Sequence, residues 1–196
     1  MYSIGYATKA IQIYIEQLQH YEIDVVVDVR SVPYSKVFYD FHQPALTQHL
    51  RQANIRYLYL GLELGPRSKD LKHYDKTGQV QFDRLMQSDL FQTGIARLAQ
   101  GIDKGFTIAL TCAEKDPAIC HRSLLVGWYL QRHKQIELQH ILHDGELETQ
   151  NNLERRLISL TNSTPDLLTT EEEALAMAYR RQCFACAYRI PEAHGE

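Results

Sequence analysis

Ile23-Asp24-Val25-Val26-Val27-Asp28-Val29 sets the fold class of this chain. Four valines and an isoleucine in seven residues make a nearly continuous β-branched run, which suits a strand buried on both faces, as in a parallel sheet. Arg30-Ser31-Val32-Pro33 ends it, because Pro33 cannot donate to a central ladder. Upstream, Tyr2-Ser3-Ile4-Gly5-Tyr6 reads as a first strand, and Ile11, Tyr14, Ile15 and Leu18 recur at helical spacing. Downstream come a short helix from Ala45 to Ala53 and a third strand from Arg56 to Leu60, closed by Gly61 and Gly65. A long polar loop runs from Gly65 to Gly78, followed by one helix from Phe82 to Ile102 and a fourth strand from Phe106 to Thr111. Asp116-Pro117 opens a further helix, with Asp as N-cap and Pro at its first position. A fifth strand spans Glu137 to Leu142, and Leu147 to Leu157 is helical. Strands alternating with helices define an α/β fold: three layers, a mainly parallel sheet of about five strands with helices on both faces. Residues 1–160 form that domain. Residues 161–196 form a Thr- and Ser-rich linker and a C-terminal helical extension, Glu171 to Tyr188, packing on the domain.

Composition excludes several classes. The 196 residues carry 24 acids and 21 bases for a net charge of −3, with 44% hydrophobic residues and only four cysteines. Those are globular values, far from a disulfide scaffold or a disordered chain. No segment reaches 18 consecutive apolar residues, so no membrane span is expected, and Met1-Tyr2-Ser3-Ile4-Gly5 shows none of the charged and apolar regions of a signal peptide, so none is expected. A cytoplasmic protein with reduced thiols is the expectation. The charge is uneven: Arg30 to Lys76 nets +4, and Asp144 to Glu173 nets −6. The basic region suits an anionic ligand.

In open α/β sheets, ligands bind beyond the carboxyl ends of the strands. That rule gathers Tyr6, Arg30-Ser31, Gly61 to Gly65, Cys112 to Arg122 and Asp144-Gly145 in one place. Within it, Thr111-Cys112-Ala113-Glu114-Lys115-Asp116-Pro117-Ala118-Ile119-Cys120-His121-Arg122 carries the most chemistry. A cysteine at a strand end before a helix N-terminus should have a lowered pKa, which makes Cys112 the candidate nucleophile, with His121 and Glu114 to move protons. Arg30, Ser31, Arg122 and Cys120 would hold an anion, since a guanidinium binds phosphate or carboxylate bidentately. Asp28 would support them by pairing with Arg30 or Arg122, because a buried charge needs a partner. Tyr6, Gly61, Gly65 and Tyr74 are further supporting positions. Cys112, Cys120 and His121 also invite a metal, but their spacing matches no zinc signature, so no metal or other cofactor is expected. Cys183 and Cys186 form a CxxC inside the tail helix, near only His194, and read as helix-face residues.

On these residues the sequence resembles domain-of-unknown-function family 488. The resemblance covers about Tyr2 to Arg189. It rests on Ile4-Gly5-Tyr6, Val27 to Ser35, Leu60-Gly61 with Leu64-Gly65, Tyr74 with Gly78, Cys112 to Pro117 with Cys120-His121-Arg122, His140-Ile141 with Asp144-Gly145, Ala178 to Gln182, and Ala187-Tyr188. Pro66 stands where a further glycine is usual. The resemblance implies an α/β fold and no particular activity.

The leading expectation is an enzyme, or a binding protein, for a small anionic or phosphorylated ligand. A second is nucleic-acid binding or modification, since Tyr34, Tyr39, Tyr57, Tyr59 and Tyr74 interleave the basic region and could stack on bases. A third is a non-catalytic interaction module, with the tail helix packed in a homodimer.

Overall fold

The computed structural model describes residues 1–35 and 37–191, so His194 lies outside the described residues. Strand β2 (Val25–Asp28) is buried along its whole length, as its β-branched run requires. It lies between β3 (Arg56–Tyr59) and β4 (Ile108–Cys112), followed by β1 (Tyr2–Gly5), β5 (Gln139–Ile141) and β6 (Leu147–Thr149), in the order β3-β2-β4-β1-β5-β6. All neighbours are parallel except β5 and β6.

The pleat divides the core between the two faces. Val25, Val27, Val29, Ile108 and Leu110 face one layer, with Phe91, Ile95, Leu98, Leu124, Leu153 and Leu157. Val26, Ala109, Ile4 and Ile141 face the other, with Tyr14, Leu18, Leu46 and Leu50. The second layer is α1 (Ile11–His20) and α2 (Gln43–Gln52). The first includes α3 (Gly61–Leu64), α4 (Phe82–Met86), α5 (Asp89–Asp103), α6 (Trp128–Lys134), α7 (Gln150–Leu160) and α8 (Glu171–Cys186). The fold is therefore a three-layer α/β sheet. Among the described residues, no helix is long and apolar enough to cross a membrane.

Three local expectations are corrected. Phe82 to Ile102 is not one helix: Ser88 is an N-cap whose hydroxyl accepts from Phe91 N at 3.2 Å, so α4 stops and α5 starts afresh. The apolar stripe runs through this break and hides it. Leu147-Glu148-Thr149 is not helical either. It adds a sixth, antiparallel edge strand, and Thr149 then caps α7 by accepting from Asn152 N at 3.0 Å.

The third correction shapes the site. Asp116-Pro117 does not start a regular helix. It starts a single 3-10 turn, Pro117–Ile119, with the Asp116 carboxylate accepting from Ala118 N at 2.8 Å. Cys120 is then extended (φ −123°, ψ 139°), and the chain rewinds as a π-helical turn over Arg122–Gly127 before α6. The Ser123 hydroxyl donates to the carbonyls of Pro117 and Cys120, so the break carries its own hydrogen bonds. The extended residue turns Cys120 back toward the end of β4. Wide turns of this kind are uncommon and cluster at functional sites.

Candidate functional site

At the carboxyl ends of the strands, four side chains from the Cys112–Arg122 segment converge. Cys112 Sγ donates to Glu114 Oε2 at 2.8 Å, and Cys120 Sγ lies 3.0 Å from the same oxygen. His121 Nδ1 is 3.6 Å from Cys112 Sγ and 3.9 Å from Cys120 Sγ. One polar atom from each residue lies within 4.8 Å of the other three. The His121 ring is fixed from behind, since its Nε2 sits 2.8 Å from the Val29 carbonyl. That carbonyl only accepts, so Nε2 carries a proton and Nδ1 faces the thiols.

The electrostatics differ from the expectation at Cys112. Burial pushes the Cys112 thiol well above its ordinary value, and Cys120 and Glu114 reinforce this. No long helix points its positive end at the sulfur, because the segment after β4 is a single 3-10 turn. Cys120 is the low thiol. Burial opposes its ionisation, but the bond from Cys112, the Arg122 charge and His121 outweigh it. Glu114 is raised by burial and by the Cys120 sulfur. His121 is raised against its burial by Cys120, Glu114 and the Val29 carbonyl.

The two arginines are engaged inside the fold. Arg30 grips Asp28 through Nε (2.9 Å) and a terminal nitrogen (2.6 Å), while its other terminal nitrogen donates to the Tyr6 hydroxyl (2.9 Å) and the Phe41 carbonyl (2.8 Å). Asp28 is wholly buried, and it also accepts from the Tyr57 hydroxyl at 2.8 Å. Arg122 is wholly buried too. It donates to the Glu114 carbonyl (2.7 Å), the Lys115 carbonyl (3.3 Å) and Ser3 Oγ (3.3 Å). It makes no ion pair among the described residues. Both guanidiniums thus stiffen the floor of the site, where an anion grip had been expected.

The glycines explain how closely the loops approach this floor. A Cβ on Gly5 would lie 1.9 Å from the Glu114 carbonyl oxygen, and one on Gly61 would lie 1.9 Å from that of Arg30. A Cβ on Gly65 would strike Gly61 O and Ser31 Oγ, each at 2.3 Å. Ser31 Oγ accepts from Arg67 N at 2.9 Å, which ties the 65–68 loop to the end of β2. Tyr74 donates to the Ser68 carbonyl at 2.8 Å and braces that loop from outside the cluster.

Two cavities flank the cluster. One, of about 310 Å³, is lined by Tyr6, Arg30, Ser31, Tyr34, Arg67 and Cys112, among others. The other, of about 180 Å³, includes Phe82, Leu124, Cys186 and Tyr188 in its wall. Pro66, Arg67, Glu114 and His121 line both, whereas Cys120 lines neither. Arg67 is exposed, and its guanidinium lies over the Tyr188 ring with 4.7 Å to the centroid. Sequence reasoning missed Arg67 as a site residue, as well as Tyr188. Arg67 follows the Gly61–Gly65 segment at the end of β3, so the strand-end rule was the available signal. Of the tail cysteines, Cys186 reaches the smaller cavity, while Cys183 packs against the core.

The family model for "Domain of unknown function DUF488" matches residues 10–129, more than half of the chain. The chain belongs to the DUF488 family. No curated protein matches it. Two crystal structures of a "Putative phosphatase (DUF442)" from Shewanella putrefaciens CN-32 align with this DUF488 chain at 13% and 12% identity. They cover 95% and 94% of it and 87% and 85% of their own chains, with TM-scores of 0.42 and 0.43. At those scores the likeness carries no argument about this DUF488 site. The match does contain the whole Cys112–Arg122 segment and the Arg30 and Arg67 positions.

Proposed function

We propose that this DUF488 protein is an enzyme acting on a small anionic substrate, such as a phosphorylated one, in the cleft at the strand ends. One observation carries the reading: four groups capable of nucleophilic, acid–base or ligand chemistry lie within 4.8 Å of one another. Three of them, Cys112, Glu114 and His121, line a cleft whose wall includes the exposed cation Arg67, and Glu114 and His121 do so in both cavities. Arg67 anchors the anion by charge-assisted hydrogen bonds. Beneath it, the buried Arg122 charge favours negative charge on the cluster. Glu114, with its raised pKa, holds a proton more readily than an exposed glutamate, and His121 remains charged to a higher pH than a free imidazole. These two are therefore the proton-moving pair. Cys112 and Cys120 supply the sulfur on which the chemistry depends.

The experiment is isothermal titration of the full chain with inorganic phosphate and pyrophosphate. Arg67→Ala should weaken binding roughly tenfold or more, the usual worth of a charge-assisted contact. Equal affinity in wild type and Arg67→Ala, or no binding by either, rejects this reading. Nucleic acid is a second reading, favoured by the exposure of Tyr34 and Tyr39 near the basic loop. Against it, the hydroxyls of Tyr57, Tyr59 and Tyr74 are all engaged internally. Single-stranded oligonucleotide binding that falls steeply with salt would select the second reading over the first.

A further inference from the structure

We infer that Cys112 Sγ, Cys120 Sγ, His121 Nδ1 and a carboxylate oxygen of Glu114 form a binding site for one zinc-type divalent cation. The inference rests on the reading of this cluster as the reactive centre, and it names the cofactor the cluster would take.

Three independent features carry it. The first is spacing. A tetrahedral ion with sulfur at about 2.3 Å and nitrogen or oxygen at about 2.0–2.2 Å separates its ligands by roughly 3.5–3.8 Å. The His121 nitrogen already lies 3.6 and 3.9 Å from the two sulfurs. The two sulfur–carboxylate contacts, at 2.8 and 3.0 Å, need to open by less than about 1 Å. The second is orientation. The Val29 carbonyl, 2.8 Å from Nε2, fixes the His121 ring with its Nδ1 lone pair toward the sulfurs. A metal-binding histidine almost always has such a partner behind it.

The third is charge. Arg122 is a wholly buried guanidinium with neutral hydrogen-bond partners and no ion pair among the described residues. Two thiolates and a carboxylate packed this closely need more positive charge than the buried Arg122 supplies, and Arg30 is already paired with Asp28. Adding a divalent ion brings the three negative charges and the positive charges into balance. Binding displaces the protons held by the thiols, Glu114 and His121 Nδ1, so in the metal-loaded form these groups are ligands and give up their proton-moving role. The donor set of two sulfurs and an imidazole selects zinc among the common divalent ions, while calcium and magnesium require oxygen. The spacing Cys-x-Glu-x5-Cys-His hid this site because the extended backbone at Cys120, which returns the second sulfur to the first, has no sequence signature.

Access assigns a role to one ligand. Glu114 and His121 line both cavities, and Cys120 lines neither. Glu114 is the oxygen ligand on the cleft side, and it is the ligand that water or a substrate oxygen would replace. The fitting ligand class is therefore an anionic oxygen donor, a phosphate ester or carboxylate, with its remaining charge on Arg67.

The test is cobalt(II) titration of the full, reduced, chelator-treated chain. One equivalent should bind and produce a thiolate-to-cobalt charge-transfer band with the intense visible bands of a tetrahedral site, and zinc should displace it. Cys112→Ser and Cys120→Ser should each abolish the band or reduce its intensity by about half, and His121→Gln should weaken affinity at least tenfold. The Cys183→Ser/Cys186→Ser double variant should keep the wild-type spectrum. Absence of one-to-one cobalt binding by the wild type overturns the inference whether or not the variants fold. So does a band of undiminished intensity in both Cys112→Ser and Cys120→Ser, or one that vanishes in the tail double variant. Phosphate binding by the metal-free protein is measured separately. Cobalt binding without phosphate binding upholds the metal and rejects the anion reading, and the converse result does the reverse.

Discussion

Replacing Asp28 by asparagine is expected to lower the unfolding free energy by about 3–5 kcal/mol. Asp28 and Arg30 are both almost fully out of water, at 0% and 5% exposure. The carboxylate accepts both fork bonds from Arg30, the Arg30 backbone N–H at 3.1 Å and the Tyr57 hydroxyl at 2.8 Å. Asparagine keeps the shape but removes the charge and turns one acceptor into a donor facing the guanidinium. The loss follows from stranding a buried cation, so it should exceed the worth of the pair itself. Removing both partners, as Asp28→Asn with Arg30→Met, should therefore cost less than the two single changes added together. Urea unfolding with an unchanged denaturant slope checks this. A loss under about 1 kcal/mol for Asp28→Asn would mean that Arg30 finds other compensation.

Acid should destabilise the protein through His140 before most carboxylates titrate. His140 is wholly buried on β5, with Nδ1 2.7 Å from Ser3 Oγ and Nε2 2.9 Å from Gln150 Oε1. Burial first, and the Arg122 charge second, press its pKa down from 6.5 to about 3. The sign follows directly. In the unfolded chain the imidazole takes up a proton as pH falls through about 6.5, whereas in the folded chain it refuses one until about 3. The unfolded state then binds more protons, so stability falls with pH across that window. Between pH 7 and 5 the loss amounts to roughly 2 kcal/mol. His140→Gln should flatten this part of the stability–pH curve. Parallel curves for wild type and variant would show that His140 is not the group responsible.

His140 also belongs to a polar chain that no sequence pattern announced. Arg122 reaches Ser3, Ser3 reaches His140, His140 reaches Gln150, and Gln150 Nε2 donates to Glu154 Oε1 at 3.1 Å. Arg132 closes the chain with two bonds to Glu154, at 2.9 and 3.1 Å. Apart from Gln150 and Glu154, which share α7, the members come from different segments, so only the assembled fold brings them together.

The same distinction separates what was legible in the sequence from what was not. β2 and β4 are buried on both faces, so their composition is their signal. β6 is a three-residue antiparallel edge strand with an exposed leucine, and no period can be read from it. The strand-end rule placed Cys112, Glu114, Cys120 and His121 near Arg30 and Ser31, because that placement depends only on element order. The direction of a long side chain depends on what it packs against. Arg30 and Arg122 therefore sit where expected yet donate into the fold, and the exposed cation on the cleft wall is Arg67, from a polar loop. The relative acidity of the two thiols was beyond reach for a similar reason. It depends on the extended backbone at Cys120, which breaks what reads as a regular helix start.

Backbone amide shifts of the ¹⁵N-labelled protein during phosphate titration report directly whether the cleft at the strand ends takes up an anion. Saturable shifts are expected, concentrated at Arg67, Ala113, Glu114 and His121, and lost in Arg67→Ala. Saturable shifts confined to another face of the molecule, or none at any phosphate concentration, would contradict anion binding in this cleft.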